Sequence, residues 1–228
     1  MAVVAQSPHP VNTVPGRTLT EPDWLSARIT EMGRAWGTTQ PRVSGTLWWC
    51  MVASALVEQL ARAYANEETA PEPYLDRIDC AVRPDGGIER VRFHAVPGTG
   101  PGDNGTHESD VALGPACAQA LRETLAAVIG PVAAVSGAGV PALWAIAADA
   151  IGNRALDAGN PEAGVRLASE VGGKLPVPRF VDVDGRTFVR RISCCLVFEV
   201  PGCEMCTSCP KRPAAERKTL LARLAAEN

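Results

Sequence analysis

Histidine is scarce: His9, His94 and His107 are the only three in 228 residues, and they are scattered. No Ser/His/Asp constellation for nucleophilic catalysis can be assembled from them. His94 falls mid-strand, where a core or surface role is the ordinary one. A nucleotide fingerprint is also missing, because Gly98, Gly100 and Gly102 lie in a loop with no helix start behind them. We therefore expect no bound NAD or FAD. The chain opens without a basic n-region or an apolar h-region, so no secretory signal is read and the expected setting is cytoplasmic. Its Pro-, Ser- and Thr-containing start reads as a flexible tail over residues 1–19. Long apolar runs are few. Leu125–Ala148 carries no charge, but Gly130, Pro131, Gly137, Gly139 and Pro141 interrupt it. That pattern predicts a buried helix–turn–helix and no membrane span, while leaving room for peripheral membrane contact. Aromatics make up 5% of the chain, and the basic stretch from Lys211 to Asn228 has none, so nucleic acid is not an expected partner.

Cysteine, by contrast, is concentrated. Cys50, Cys80 and Cys117 are isolated and read as small buried hydrophobes, while five more crowd into residues 194–209. A disulfide framework spreads its cysteines to staple distant segments, whereas crowding at short fixed spacings reads as metal ligation. Charge follows the same division. The net −3 hides ten Lys/Arg against six Asp/Glu in residues 174–228, with an acidic excess before them. The cysteine-rich end is therefore the basic end.

Pro22 and Asp23 predict a helix start, with Leu25, Ile29, Met32 and Trp36 at helical spacing and Gly37 as its stop. A second helix is expected over about Gly45–Tyr64, in which only one of the adjacent Trp48 and Trp49 would face the core, the other sitting half exposed. A hairpin around Asp85–Gly86–Gly87 would join Tyr74–Val82 to Ile88–Ala95. Residues 97–110 read as a loop. Further helices are expected at Pro115–Ile129, Pro141–Leu156 and from Asn160 to near Gly172. Arg179–Val183, a turn at Asp184–Gly185, and one long or broken strand over Arg186–Val200 would follow. Val43–Ser44–Gly45 before Trp49 and Val135–Ser136–Gly137 before Trp144 suggest an internal helix–helix–hairpin pseudo-repeat, which would leave a cleft between its halves. The fold class read from this is α+β: a mostly helical single unit with β-hairpins and a cluster-binding knuckle at the C-terminal end. Its parts are a tail at 1–19, a body at 20–189 and a cluster-binding segment at 190–228.

The chemistry lies in the spacing C-C-x₁₀-C-x₂-C, with Cys203 inserted. Four soft thiolates suit zinc or an iron–sulfur cluster. A structural zinc site usually supplies two C-x₂-C knuckles to one ion. Vicinal cysteines on extended chain point to opposite faces, so they reach two metal ions more easily than one. A [2Fe–2S] cluster fits that best. Cys203, Cys206 and Cys209 also spell C-x₂-C-x₂-C before Pro210, so a [4Fe–4S] cluster and zinc stay open on spacing alone.

The pattern Arg190–Arg191–x–Ser193–Cys194–Cys195–x₁₀–Cys206–x₂–Cys209–Pro210 resembles that of the ferric-siderophore reductases of the FhuF type. The resemblance covers about Arg190–Pro210, and Cys203 has no counterpart in it. It implies that Cys194, Cys195, Cys206 and Cys209 ligate a [2Fe–2S] cluster. It further implies reduction of an Fe(III)–siderophore to release Fe(II), making the protein an oxidoreductase acting on metal ions. Electrons would come from an external donor, a ferredoxin or an NAD(P)H-dependent reductase. Arg190, Arg191, Lys211 and Arg212 are candidate docking residues for donor or substrate. The rival reading is a non-enzymatic iron–sulfur or zinc module with a regulatory or interaction role.

Overall fold

The computed structural model describes residues 12–94 and 114–227. His9, His107, the loop at 97–110 and residues 1–11 of the expected tail lie outside the described residues. From residue 12 the expected tail is a strand: β1 (Asn12–Pro15) pairs antiparallel with β2 (Ile78–Val82), Val14 opposite Cys80. Edge pairing fixes a segment whose composition reads as loop, and Leu19 in the turn that follows is wholly buried. β2 pairs in turn with β3 (Ile88–Phe93), closing a three-stranded sheet in the order β1-β2-β3. His94, just past β3, reaches Asp79 across the sheet at 2.8 Å.

Proline opens most helices: α1 (Pro22–Trp36), α2 (Pro41–Asn66), α3 (Pro115–Ser136) and α5 (Pro161–Val171) each carry it at N1, where a missing N–H costs nothing. α4 (Val140–Asp157) has Pro141 one residue later. α3 continues through Pro131, where a stop was expected at Ile129. Val128, Ile129 and Val132 are buried, and that packing outweighs a break worth about 3 kcal/mol. Gly137, at φ +74, ends it instead.

α2 is the axis of the molecule. It packs against α1, α3, α4, α5 and β3, so nearly every face is buried. This corrects the expectation for the tryptophan pair, since Trp48 and Trp49 are both wholly buried. Their indole N–H groups are satisfied by the carbonyls of Gly86 and Leu143, each at 2.8 Å. The Gly86 backbone comes so close to α1 that a Cβ there would lie 2.5 Å from the Arg28 carbonyl oxygen.

The helix–helix–hairpin order recurs as α1–α2–β2–β3 and α3–α4–β4–β5, with α5 inserted in the second half. The two small-residue helices, α2 and α4, pack against each other. β4 (Phe180–Val183) and β5 (Arg186–Val189) form the second hairpin, with Asp184 and Gly185 both left-handed as a two-residue turn demands. The strand expected to run on to Val200 stops at Val189. Beyond it the chain is irregular, with a single 3₁₀ turn at Val197–Glu199, until α6 (Ala214–Ala226). The whole is a mostly helical α+β unit. Among the described residues no helix is long and apolar enough to cross a membrane.

Candidate metal centre

The irregular segment after β5 is tied down by one side chain of α4. Asp149, only 3% exposed, accepts the backbone N–H of Ile192 at 2.8 Å and that of Ser193 at 3.1 Å, and the Ser193 hydroxyl at 3.2 Å. Burial pushes its carboxyl above the ordinary carboxylate range, and those N–H donors with Arg191 pull it part of the way back. These bonds divert the chain out of strand pairing. The next bend is at Leu196, a left-handed residue at φ +63. A conformation costing an L residue about 1–2 kcal/mol persists because the Leu196 side chain is buried in the core. The bend turns the N–H of Leu196 onto Cys194 Sγ at 3.4 Å and that of Val197 onto Cys195. Pro201 and Gly202 then form a type II turn, closed by Cys203 N–H to the Val200 carbonyl at 3.1 Å with Gly202 at φ +78. A last turn, Cys209 N–H to the Cys206 carbonyl at 3.1 Å, makes the C-x₂-C knuckle.

The two halves of the loop bring four thiols together in two pairs. Cys194 Sγ stands 3.6 Å from Cys209 Sγ, and the Cys206 thiol is hydrogen-bonded to Cys195. Cys203, half-buried against the core, belongs to neither pair. The vicinal cysteines thus face different partners. Two sulfurs bound about 2.3 Å from one tetrahedral metal are about 3.8 Å apart, close to the first separation. Two sulfurs for each of two metal ions is the arrangement these residues fit.

Arg191 completes the electrostatics. Its Nη1 lies 3.6 Å from Cys206 Sγ and its Nε 3.6 Å from Asp149 Oδ2. Burial alone would lower its pKa, but the facing Cys195 and Cys206 sulfurs carry it above the usual arginine value. The bond from Cys206 lowers the Cys195 thiol to about 5 and raises Cys206. Burial lifts Cys194 to about 11.

The other candidate docking residues are spread around the loop. Arg190 is exposed. Lys211 sits 4.8 Å over the Phe198 ring and 4.0 Å from Glu199. Arg212 turns onto the knuckle, donating to the Cys206 and Met205 carbonyls and pairing with Glu216. Its guanidinium is spent on the loop itself. Two cations that spacing alone did not single out complete the basic surface. Arg179, Arg190, Arg191 and Arg217, with Ile192 and Pro210, line a depression of about 210 Å³ beside the cysteines. Asp149 and Cys50 were also missed. Asp149 had a signal, as the one charged residue among the first fourteen of an apolar helix. Cys50 had none: Cys80 and Cys117 are buried as expected, but Cys50 is half-buried and lines a cavity with Cys195.

Comparison with curated proteins returned no match. Residues 191–211 match the family model described as the FhuF 2Fe-2S C-terminal domain, and they are the residues of the two-pair loop. The C-terminal segment of this chain is thus similar to the FhuF 2Fe-2S C-terminal domain, and its cofactor is a [2Fe–2S] cluster.

Proposed function

We propose that the protein is a ferric-siderophore reductase, with Cys194, Cys195, Cys206 and Cys209 as the four cluster ligands. The observation that carries the ligand set is the pairing of the thiols, 194 with 209 and 195 with 206, inside the segment that matches the FhuF 2Fe-2S domain. When bound, the cluster supplies a one-electron carrier. The substrate is Fe(III) held by hard oxygen donors, which bind Fe(II) far less tightly. A single electron converts Fe(III) to Fe(II) and releases it, with no bond of the chelator broken and no proton transfer needed. The scarcity of histidine and the absence of an acid–base constellation agree with that chemistry.

The chain's own residues hold and surround the cofactor. Asp149 fixes the loop to α4, the Leu196 and Val197 N–H groups point at ligand sulfurs, and the Arg191 cation offsets their negative charge. Electrons enter from an external donor, a ferredoxin or a reductase with its own nicotinamide or flavin. The depression lined by Arg179, Arg190, Arg191 and Arg217 has no acidic residue in it and suits an acidic donor face.

The test is anaerobic. Purified protein with about two irons and two sulfides per chain is reduced, freed of reductant and mixed with ferric chelates in the presence of a ferrous-specific trap. One Fe(II) trapped per reduced cluster is expected. A cluster that cycles with small oxidants yet is never reoxidised by any ferric chelate would identify a non-enzymatic module.

A further inference from the structure

Four guanidinium groups meet at the depression beside the cysteine loop, and among the described residues no carboxylate lines it. Arg179 precedes β4 and Arg190 follows β5. The Arg190 N–H donates to the Arg179 carbonyl at 2.7 Å, so the two sit side by side at the open end of the hairpin. Arg217 reaches in from α6, its Nη1 donating to the Cys209 carbonyl at 3.3 Å and the Arg212 carbonyl at 3.1 Å. Arg191 is the fourth, with Cys206 Sγ 3.6 Å from its Nη1. Ile192 and Pro210 complete the lining.

Among the described residues Arg179, Arg190 and Arg217 make no ion pair, and Arg191 alone of the four has an acidic neighbour, Asp149 at 3.6 Å. A crowded lysine can shed its proton, but a guanidinium stays charged throughout the physiological range. The repulsion among these groups is therefore relieved by an anion seated between them. Two features narrow the anion. The volume, about 210 Å³, lies below the roughly 300–1,000 Å³ of pockets that enclose a whole small molecule. The depression thus takes one group and leaves the rest of its ligand outside. Planar guanidinium forks match the oxygens of both carboxylate and phosphate. A carboxylate brings one charge and two oxygens, whereas a phosphate monoester brings about −1.5 to −2 and three free oxygens. Against four forks the phosphate is the better match.

We propose that this depression binds the phosphate of a small phosphate monoester, and that the bound phosphate excludes the electron donor. The inference rests on the depression being the donor's docking face and adds a ligand that regulates it. An acidic protein face and a phosphate compete for the same guanidiniums, so occupancy slows reduction without touching the cysteine ligands. Inorganic phosphate and phenyl phosphate are the probes, titrated calorimetrically into oxidised holoprotein at an ionic strength held constant with chloride. One site per chain is expected, with a Kd on the order of 1 mM or tighter. Arg179→Gln with Arg190→Gln should weaken binding at least about tenfold, as two of four forks are lost. Arg34→Gln, exposed on α1, should leave it unchanged. Saturating phosphate should slow reduction by an acidic ferredoxin at least about threefold in the wild type and hardly at all in the double variant. No saturable binding, or binding that the double variant leaves within about twofold, would overturn the phosphate site. Binding to phosphatidic acid vesicles with none to the free probes would also overturn it, by giving the site to a lipid surface. Phosphate that binds without slowing reduction would overturn the exclusion of the donor. Salt-dependent reduction by ferredoxin in a protein that ignores phosphate would leave the donor face and the reductase reading standing.

Discussion

Asp149 on α4 receives both the backbone N–H and the hydroxyl of Ser193, forty-four residues further along the chain. With the Ile192 N–H this makes one buried carboxylate the anchor of the cysteine loop. Asp149→Asn keeps the shape but sets an NH₂ against N–H donors and removes the charge facing Arg191. Breaking a buried charged network of this kind costs about 3–5 kcal/mol. We expect a lower Tm and faster loss of iron on dialysis. Ser193→Ala, which removes only the hydroxyl bond, should cost about 1 kcal/mol and keep its iron. Equal iron retention in Asp149→Asn and wild type would show that the loop holds itself.

Serine substitution resolves the ligand set. Cys194→Ser, Cys195→Ser, Cys206→Ser and Cys209→Ser should each lose the cluster or visibly shift its absorption and EPR spectra. Cys203→Ser should leave both nearly intact, since Cys203 lies outside the thiol pairs. Loss in Cys203→Ser with retention in Cys206→Ser would exchange their roles.

The parts of the fold legible in sequence are those decided locally. Pro22, Pro161, Gly37 and the Asp184–Gly185 turn act through their own dihedral angles, and the structure follows them. The C-C-x₁₀-C-x₂-C spacing is local in the same sense. What failed was decided by distant partners. Asn12–Pro15 is a strand because β2 offers an edge, α3 runs through Pro131 because its neighbours bury it, and Trp48 with Trp49 are both buried because α2 is enclosed. Within the site, Asp149 and Cys50 come to the loop from helices far earlier in the chain, and no spacing rule connects them.

The enclosure of α2 has its own test. Trp49→Phe deletes the indole N–H bond to the Leu143 carbonyl, which keeps its partner within α4, and leaves a small void in a fully buried position, a loss of about 2 kcal/mol. Trp36, 40% exposed at the end of α1, should tolerate Ala with a change of about 0.5 kcal/mol or less. Chemical denaturation compares them. Similar losses at both positions would contradict a fully packed α2.

In metal-free protein the thiols should separate by pH. Cys195 is held down to about 5 by the bond from Cys206, while burial holds Cys194 up at about 11. Iodoacetamide at pH 7 should therefore mark Cys195 before Cys194, as read by peptide mass. A depressed pKa contributes stability that is full above the thiol's ordinary value of 9 and is lost as pH falls through about 5. Labelling of Cys195 should accordingly slow towards pH 5, and its lead over Cys194 should disappear only as pH rises to about 11. Labelling of Cys194 first at pH 7 would reverse the assignment.

Arg191 and the outer arginines should act in different ways. A four-thiolate [2Fe–2S] centre carries a formal charge of about −2 oxidised and about −3 reduced, so a nearby cation favours the reduced form. Arg191, its side chain 16% exposed and against Cys206, is placed to raise the potential. Arg191→Gln also leaves the Asp149 carboxylate without its cation, and both changes act in the same direction. A potential lower by on the order of 50–100 mV is expected, given the Coulomb energy of a partly screened unit charge at this range. Arg179 and Arg190 are exposed, and a charge in water is worth little to a buried centre. Arg179→Gln with Arg190→Gln should move the potential hardly at all, but should slow reduction by an acidic ferredoxin and flatten the dependence of that rate on salt. Voltammetry gives the first quantity, and stopped-flow reduction at low and high ionic strength gives the second. If Arg191→Gln leaves the potential unchanged, its contact with Cys206 is structural only. If the outer pair leaves both rate and salt dependence unchanged, the donor docks elsewhere.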